Sequence, residues 1–497
     1  MFELRSYQSK SVTDCRSSLA QGYRRPVLVL PTGAGKTVIG AYMIRATAAK
    51  GNKALVLAPR RELVSQTSEK LQAFGVNHGI MMAGEPSTMF PDVQVGCIPT
   101  MHRRCIQGNR PLPRADLVLV DEAHLSIART TRAIIDRYVD HGAVVIGLTA
   151  TPCRSDGAGL GQIYDTLVEG PTIAELIDQG YLVQPRYFSG KAPDLKGVRV
   201  QAGDYNNKQL GERVNTVELV GDVVENWARL AQGRPTIVFS VNVAHSMALA
   251  ENFQAVGIRA EHVDGRTDNS ERAEILRRLH SGETEVLCNC QVATYGLDIP
   301  PVSAIVLARP TKSVAAYFQM IGRGLRTFPG KDDCLVLDHA GSVANMGFIE
   351  QDMPWSLDGK EKVQDRISSK RSDPDPITCG DCGYTFPPER TCPNCGADQG
   401  QRYSKAIEAH EAQLQEIGKG ETTAATMEDK RRFFGELKAI ADQYGYADGW
   451  CSHKFRERFG VWPNAVKDED PRPPSAATRA WVRSQNIRFA KSRRASA

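Results

Sequence analysis

Residues 31–37 read Pro-Thr-Gly-Ala-Gly-Lys-Thr, between an apolar run and a helical pattern, and these residue types could hold a phosphate chain. Gly33 and Gly35 let backbone N–H groups turn toward phosphate oxygens at a helix N-terminus. Lys36 can reach the β and γ phosphates, and Thr37 can hold Mg²⁺. The usual pattern has a glycine one residue before this segment, where the chain has leucine. The sequence still predicts a phosphate-binding loop.

A second reactive group follows about 85 residues later, at the end of a predicted strand, where the chain reads Asp-Glu-Ala-His. Asp121 can bind Mg²⁺, and the adjacent Glu122 can polarise an attacking water. Acidic residues at strand ends are also common helix N-caps. Because this group follows a phosphate loop in the same predicted sheet, we interpret it as a magnesium and general-base site.

Four of the twelve cysteines form two CxxC pairs, and the other eight are scattered. In each pair two thiolates can point inward, so that together the pairs offer a tetrahedral Zn²⁺ site. The segment between the pairs is short, and we interpret the unit as a small zinc ribbon that needs its metal to fold. Its role could be a grip on nucleic acid, a contact with a partner or stapling of the chain. The four predicted ligands are Cys379, Cys382, Cys392 and Cys395.

The elements that must position these groups are short apolar strands alternating with amphipathic segments. Such strands, separated by helices, predict parallel sheets buried on both faces, here in two tandem α/β domains. Helices are predicted at 62–74 and 217–230. The predicted strands are 27–30, 54–57, 117–120 and 143–146 in the first domain, and 236–239, 285–288, 304–307 and 334–337 in the second.

Composition limits the class of protein. The 497 residues are 41% hydrophobic and 24% charged, as in soluble globular chains, and are too many for one domain. No apolar run is long enough to span a membrane and no secretory signal is visible, so we expect a cytoplasmic protein, in a bacterium or a phage-infected cell. The net charge of +5 permits nucleic-acid binding without requiring it.

In order along the chain, Lys36-Thr37, Asp121-Glu-Ala-His124, Thr149-Ala-Thr151 and residues 319–326 (Gln-Met-Ile-Gly-Arg-Gly-Leu-Arg) resemble the motifs of DEAH-box superfamily 2 helicases. Supporting blocks stand at 4–8, 58–63, 236–240, 263–265 and 293–298. The resemblance covers about residues 1–345. It implies two RecA-like motor domains that hydrolyse ATP with Mg²⁺ in the cleft between them.

The resemblance also implies a role for each matching residue. For catalysis these are Lys36, Glu122, Gln319, Arg323 and Arg326, the two arginines acting as fingers on the γ-phosphate from one face of a helix. Nucleotide and Mg²⁺ contacts fall to Arg5, Gln8, Gly33, Gly35, Lys36, Thr37, Asp121, Gly296 and Asp298. Coupling of hydrolysis to domain movement falls to His124, Thr149 and Thr151. Contacts with the nucleic-acid strand fall to Pro59, Arg60, Thr100 and Gly265.

The expected domain organisation follows from these motifs and from shifts in composition. Residues 427–463 resemble a C-terminal element of phage and bacterial helicases, and their aromatic residues could form a small core or a base-stacking surface. The expected segments are motor domain 1 (1–185), motor domain 2 (186–352), a linker (353–377), the zinc ribbon (378–397), a helical linker (398–426), a helical C-terminal module (427–475) and a basic tail (476–497).

The resemblance favours DNA over RNA as the nucleic acid, with replication, repair or recombination as the task and a protein partner from those pathways. We expect a monomeric motor of phage or bacterial type, with no accessory domain before its first motif. Three alternatives stay open: an RNA helicase, a translocase on double-stranded DNA, and a nucleic-acid-binding scaffold without turnover.

Overall fold

The computed structural model describes most of the chain, which divides into two compact units, residues 1–409 and 410–497. The described residues are 3–86, 91–153, 159–189, 193, 195–201, 203–215, 217–290, 292, 299–358, 376–399, 427–447, 449–459, 462–463, 465–475, 478–479 and 482. Much of the predicted linkers and basic tail therefore lies outside the described residues. Among the helices that the structure describes, none is long and apolar enough to cross a membrane.

A seven-stranded, fully parallel sheet forms the first part of the larger unit, in the order β3-β4-β2-β5-β6-β1-β7. The strands are β1 (Pro26–Val29), β2 (Ala54–Ala58), β3 (Gly79–Met81), β4 (Val93–Cys97), β5 (Leu117–Asp121), β6 (Val144–Thr149) and β7 (Thr166–Glu169). The helices around it are α1 (Ser6–Ala20), α2 (Lys36–Ala48), α3 (Arg61–Ala73), α4 (Ile98–Met101), α5 (Arg129–Asp140) and α6 (Ile173–Asp178).

Both faces of this sheet are buried, because successive residues of a strand pack into different clusters. On β5, Leu119 belongs to one apolar cluster, while Val118 and Val120 belong to another. Side chains alternate across a strand, so a strand that is apolar throughout fills two cores at once. This is the physical basis of the predicted parallel α/β fold, which the structure confirms.

A second sheet of eight strands has the order β12-β13-β11-β14-β15-β8-β17-β16. Its strands, together with the separate ribbon β9–β10, are β8 (Gln184–Ser189), β9 (Val200–Gln201), β10 (Asp204–Tyr205), β11 (Thr236–Phe239), β12 (Ala260–Val263), β13 (Val286–Asn289), β14 (Ala304–Leu307), β15 (Asp333–Asp338), β16 (Ile377–Thr378) and β17 (Tyr384–Phe386). The helices of this part are α7 (Asn207–Val214), α8 (Val217–Leu230), α9 (Val243–Ala255), α10 (Asn269–Ser281), α11 (Val314–Gly322) and α12 (Ser342–Met346).

Six strands of the second sheet run parallel, and the last two, from the cysteine-rich segment, are antiparallel. The sequence-based strands correspond to the central strands of both sheets. The strands β3, β4, β7, β8 and β12, and the strands of two or three residues β9, β10, β16 and β17, were not predicted, because they are short or interrupted by polar residues and carry no clear apolar run.

The C-terminal unit is built on two helices, α13 (Met427–Tyr444) and α14 (Trp450–Phe459). Phe434 packs edge-on against Phe455, and Phe433 against Phe459, with ring centroids 5.5 and 5.4 Å apart. Most aromatic residues of this unit thus form its own small core, in agreement with the simpler of the two predicted roles.

Candidate active site

The predicted phosphate loop lies between the end of β1 and the start of α2. Gly33 and Gly35 have φ angles of +92° and +81°, which L side chains rarely adopt. A Cβ on Gly35 would lie 2.6 Å from Gln8 Nε2, and one on Gly33 would lie 2.8 Å from Leu182 Cδ2. The loop therefore needs glycine at both positions, for its backbone shape and for space.

Lys36 is the first residue of α2, and its side chain curls back over the loop. The ammonium donates hydrogen bonds to the carbonyl oxygens of Leu30 and Pro31, at 3.3 and 3.4 Å. Burial lowers the pKa of Lys36, and the nearby carboxylates of Glu122 and Asp121 oppose that shift. A cation buried at a helix N-terminus is well placed to receive phosphate oxygens.

The two carboxylates stand where β5 ends. Glu122 has a φ of +51°, a left-handed conformation that costs a non-glycine residue about 1–3 kcal/mol. This turn lets the Asp121 carboxylate accept the Glu122 backbone N–H at 3.0 Å. Burial, and then the charge of Glu122, raise the pKa of Asp121 to about 7, while Lys36 opposes the rise. A half-buried and a buried acid side by side fit a site that holds a divalent cation.

A chain of polar contacts runs from the second sheet through Glu122 into the first. Gln319 Nε2, on α11, donates to Glu122 Oε2 at 3.3 Å, and His124 Nδ1 lies 3.4 Å from the same oxygen. His124 Nδ1 also contacts the Thr149 hydroxyl at 3.2 Å, and this hydroxyl donates to the Thr151 carbonyl at 3.1 Å. Two of the residues predicted for catalysis, Glu122 and Gln319, are thus connected to all three residues predicted for coupling.

Both predicted arginine fingers reach the cleft, but not from one helix face. Helix α11 ends at Gly322, Arg323 is its C-cap, and Arg326 forms an isolated bridge with Leu182. The predicted helical spacing is wrong because Gly322 and Gly324 interrupt the helix. A Cβ on Gly322 would lie 2.5 Å from Thr32 Cβ of the phosphate loop, so glycine allows the two sheets' elements to meet.

Together these groups surround a cavity of about 580 Å³, a volume suited to a nucleotide. Residues from both sheets contribute to it. The hydroxyl of Thr32, in the phosphate loop, is buried at the cavity without a hydrogen-bond partner in the described part of the chain. The predicted residues that line the cavity are Arg5, Gly33, Gly35, Lys36, Thr37, Asp121, Glu122, Gln319, Arg323 and Arg326.

Of the predicted nucleotide-contact residues near the N-terminus, Arg5 lines this cavity and Gln8 lies behind it, against the phosphate loop. The Gln8 amide is buried, accepts the Arg5 backbone N–H at 3.0 Å and donates to the Ala34 carbonyl at 3.2 Å. Arg5 lines the cavity, and its guanidinium lies 4.6 Å from the centre of the Tyr181 ring. Gln8 is thus hydrogen-bonded to the phosphate loop, whereas Arg5 and Tyr181 line the cavity.

A second cavity of about 370 Å³ lies where the helix after β2 meets the loop after β12. Arg60, Gly265 and Arg266 line it, beside an ion pair of 2.9 Å between Glu62 and Arg272. Of the four residues predicted to contact nucleic acid, Arg60 and Gly265 are brought together here. Pro59 and Thr100 are half-buried near β2 and β4 and do not line the described cavity.

The residues at or beside the two cavities that were not predicted include Tyr181, Leu182 and Glu62. The first two belong to the segment through which the chain passes from the first sheet to the second, and Glu62 pairs across the two parts of the unit. Tyr181 and Leu182 stand in no motif that the sequence analysis used, whereas Glu62 lies within the supporting block 58–63 but was given no role there. The predicted nucleotide-contact residues Gly296 and Asp298 lie outside the described residues.

The four predicted zinc ligands form a compact cluster, with all four Sγ atoms within 4.8 Å of one another. The Sγ atoms of Cys379 and Cys395 are 3.7 Å apart, and those of Cys382 and Cys392 are 3.8 Å apart. These distances are too long for disulfides. They match the edge of about 3.8 Å that a tetrahedron with Zn–S bonds of about 2.3 Å requires.

Comparison with known proteins gives two family matches. Residues 1–154 match the family described as Type III restriction enzyme, res subunit, and residues 216–327 match the helicase conserved C-terminal domain. The chain is 34% identical to a Saccharomyces cerevisiae protein named "Putative ATP-dependent helicase IRC3", over 68% of this chain and 52% of that protein. It is 28% identical to a "51.5 kDa protein" of a Lactococcus phage, over 82% of this chain and 85% of that protein.

A solved structure of the ATP-dependent Type ISP restriction-modification enzyme LlaBIII bound to DNA has the same fold, with a TM-score of 0.51 and 18% identity. The likeness covers 68% of this chain and 28% of that one. The two sheets and the cleft between them define a pair of RecA-like domains. The two family matches, over residues 1–154 and 216–327, support a motor of helicase superfamily 2. The chain spans about half the length of its yeast relative.

Proposed function

We propose that the protein is an ATP-dependent DNA helicase or translocase of the DEAH-box type. The observation that carries this proposal is the single cavity of about 580 Å³ into which both sheets send charged groups. The first sheet supplies the phosphate loop and two carboxylates, and the second supplies Gln319 and two arginines. Such a site is complete only when the two parts are together, so binding and hydrolysis of ATP would be coupled to their movement.

In this mechanism each residue acts at a defined place on ATP. Lys36 and the loop N–H groups hold the phosphates, and Thr37 with Asp121 would hold Mg²⁺, which neutralises charge on the β and γ phosphates. Glu122 takes the proton of the attacking water. Arg323 and Arg326 stabilise the charge that develops on the γ-phosphate. The hydrogen bond from Gln319 to Glu122 would couple a change in the protonation of the base to the position of α11 in the second domain.

The nucleic-acid strand would occupy the second cavity, where Arg60 and Arg266 supply positive charge and Gly265 is exposed. Contacts of this kind grip the phosphate backbone and carry no sequence information, so binding should be sequence-tolerant and weaken with salt. Two similarities favour DNA over RNA: the restriction-enzyme family matched by the first domain, and the DNA-bound enzyme with the same fold.

The four-cysteine cluster would hold one Zn²⁺ in a zinc ribbon. All four ligands are thiols, their Sγ separations suit a tetrahedral ion, and amide groups of Gln399 and Asn394 donate to Cys379 and Cys382 Sγ at 3.3 and 3.4 Å. Amide donors to thiolate sulfur are the kind of surrounding contact that zinc sites use to orient ligands.

The phage relative supports a phage-type origin, and we place the enzyme's task in replication, repair or recombination. A translocase that moves on duplex DNA without separating its strands is the second candidate. It is favoured by the family description of the first domain, a restriction-enzyme subunit.

Steady-state ATP hydrolysis with no nucleic acid, single-stranded DNA, duplex DNA or RNA, at two salt concentrations, tests the proposal. Stimulation by DNA that falls with salt is expected for a motor that grips phosphates. Stronger stimulation of ATP hydrolysis by duplex DNA would favour the translocase. Stronger stimulation by RNA would identify RNA, rather than DNA, as the substrate. Absence of hydrolysis under every condition would contradict the motor.

A further inference from the structure

The cysteine unit, residues 376–399, is an edge of the second sheet rather than a separate attachment. Its hairpin strand β17 pairs antiparallel with β8, with Tyr384 opposite Phe188 and Thr385 opposite Tyr187. The Ser189 N–H donates to the Gly383 carbonyl at 3.0 Å, which extends the pairing by one step. The unit therefore closes the hydrogen-bonding edge that β8 would otherwise present to solvent.

Side chains tie the metal loop to the same strand. The Phe188 and Tyr384 rings lie 5.4 Å apart, in one apolar cluster of the second sheet. The Arg186 guanidinium lies 5.8 Å from both ring centres and donates to Asn394 Oδ1, between two of the cysteines. It also pairs with Asp333 on β15 at 3.1 Å. Arg186 thus joins the metal loop, β8 and the neighbouring strand.

The other end of β8 runs directly into the nucleotide cleft. The Val183 N–H donates to the Leu325 carbonyl at 2.8 Å, and Leu182 forms the bridge with Arg326. The Leu182 side chain covers Gly33 of the phosphate loop, and Tyr181 forms part of the cleft wall. Strand β8, which the cysteine unit holds, is therefore continuous with the residues that position Arg326 and with Leu182, whose side chain lies against the phosphate loop.

Charge argues against the cysteine unit as a grip on nucleic acid. Residues 376–399 contain three acidic residues and one basic residue. The acidic residues are Asp381, Glu389 and Asp398, and the basic one is Arg390. Four thiolates around one Zn²⁺ would add two further negative charges, so the unit would repel phosphates. Its buried apolar residues are Cys379, Phe386 and Cys392, a core in which two of three members are metal ligands.

We propose that the four-cysteine metal site is a positioning site for the nucleotide cleft. By folding the cysteine unit, the metal holds β8, and through β8 it fixes Tyr181 and Leu182 against the phosphate loop and Arg326. The expected effect on ATP hydrolysis rests on the proposed ATP-dependent function, whereas the expected effect of the metal on the order of β8 does not. Without metal the unit loses its core, and β8 becomes an unsupported edge strand.

The variant Cys382→Ser in the full-length protein tests this proposal, with Cys105→Ser, a half-buried cysteine remote from the cluster, as the matched control. We measure zinc content, amide hydrogen exchange of residues 182–189, and ATP hydrolysis without nucleic acid. Cys382→Ser should lose zinc, exchange about tenfold faster in this segment, and show kcat lowered by about 10- to 100-fold through misplacement of Arg326. Cys105→Ser should match the wild type in all three.

Tyr384→Ala is the second variant, because it keeps every cysteine and removes the ring that packs on Phe188. It should retain zinc and still show faster exchange in residues 182–189, which separates docking of the unit from metal binding. If Cys382→Ser does not fold, removal and return of zinc on the wild-type protein replaces it. Loss of zinc with unchanged exchange and unchanged kcat overturns the proposal. A wild type without ATP hydrolysis would contradict the proposed function, while the exchange comparison would still decide the structural part.

Discussion

At the scale of single residues, the strained turn at Glu122 and the contacts around it hold the expected general base. The carboxylate is buried between Gln319 and His124, which fix its direction, and the adjacent Asp121 is oriented by the Glu122 N–H. In the proposed mechanism, the base is held by neighbours from both sheets only when the two parts are together. This links the chemistry of one residue to the state of the whole cleft.

Replacing Glu122 by Gln should preserve ATP binding and lower hydrolysis by about 10²- to 10⁴-fold, because the amide keeps the shape but cannot accept the proton. Nucleotide binding by fluorescence and turnover by phosphate release separate the two effects. The exposed Glu85→Gln serves as the matched control. Turnover within threefold of the wild type would remove Glu122 as the base.

Arg326→Ala should slow hydrolysis by about 10³-fold or more if Arg326 acts as a finger. The loss should appear in kcat more than in the affinity for ATP, because the arginine acts on charge that develops during the reaction. Arg137→Ala, on the exposed side of α5, controls for loss of a positive charge. A loss below threefold would make Arg326 a structural residue of the bridge with Leu182.

At the scale of elements, the phosphate loop depends on the segment that joins the two sheets. Gly33 has no room for a side chain because Leu182 lies against it, and Gly322 of α11 lies against Thr32. Three chain segments therefore approach one another closely only at glycines, which have no side chain to obstruct the contact. They are the end of β1, the end of α11 and the segment before β8. The positions of Arg323 and Arg326 are therefore set by the end of α11 at Gly322, and not by a shared face of that helix.

Gly33→Ala should weaken ATP binding by about tenfold or more, because it adds a contact with Leu182 to the cost of a positive φ. Gly51→Ala is the matched control, since Gly51 also has a positive φ, of +77°, but nothing within 4 Å of an added Cβ. Both variants should lose about 1–2 kcal/mol of unfolding free energy through backbone strain. Equal ATP binding by both would show that the contact with Leu182 does not matter.

At the scale of the whole molecule, the larger unit joins its two sheets through contacts at both cavities. The ion pair between Glu62 and Arg272 spans the second cavity, and the Gln319 contact spans the first. Arg272 also donates to the backbone carbonyls of Asp264 and Thr267 at 3.2 Å, which fixes its guanidinium. Occupation of either cavity should therefore affect the other.

Arg272→Ala and Glu62→Gln should each lower the DNA-stimulated rate of ATP hydrolysis more than the unstimulated rate. In the double variant the losses should not add, with a coupling energy of about 0.5–3 kcal/mol, as for residues in direct contact. A double-mutant cycle on both rates provides the measurement. Fully additive losses would mean that the ion pair does not link the two parts.

Elemental analysis of freshly purified protein should find about one zinc per chain, because the cluster offers four thiol ligands at tetrahedral spacing. Cys382→Ser should bring this value close to zero, and Cys105→Ser should leave it unchanged. Absence of zinc and of any other tetrahedrally bound metal in the wild-type protein would contradict the ribbon.

The sequence by itself determined the apolar strands, the phosphate loop, the two carboxylates and the four cysteines. These signals are local: a strand buried on both faces must be apolar throughout, and a loop that wraps phosphates needs glycines before a lysine. For the C-terminal unit the sequence indicated a helical module over 427–475 but not the limits of its two helices.

Only the tertiary structure decided which separate pieces meet. Pairing of β17 with β8 joins residues about 200 positions apart, and the strands are too short to signal it. The approach of Leu182 to Gly33, the place of Arg326 beyond the end of α11, and the pair of Glu62 with Arg272 depend on how two sheets pack. Local patterns fix which face of an element is apolar, whereas packing between sheets is set by the summed contacts of many residues far apart in the chain.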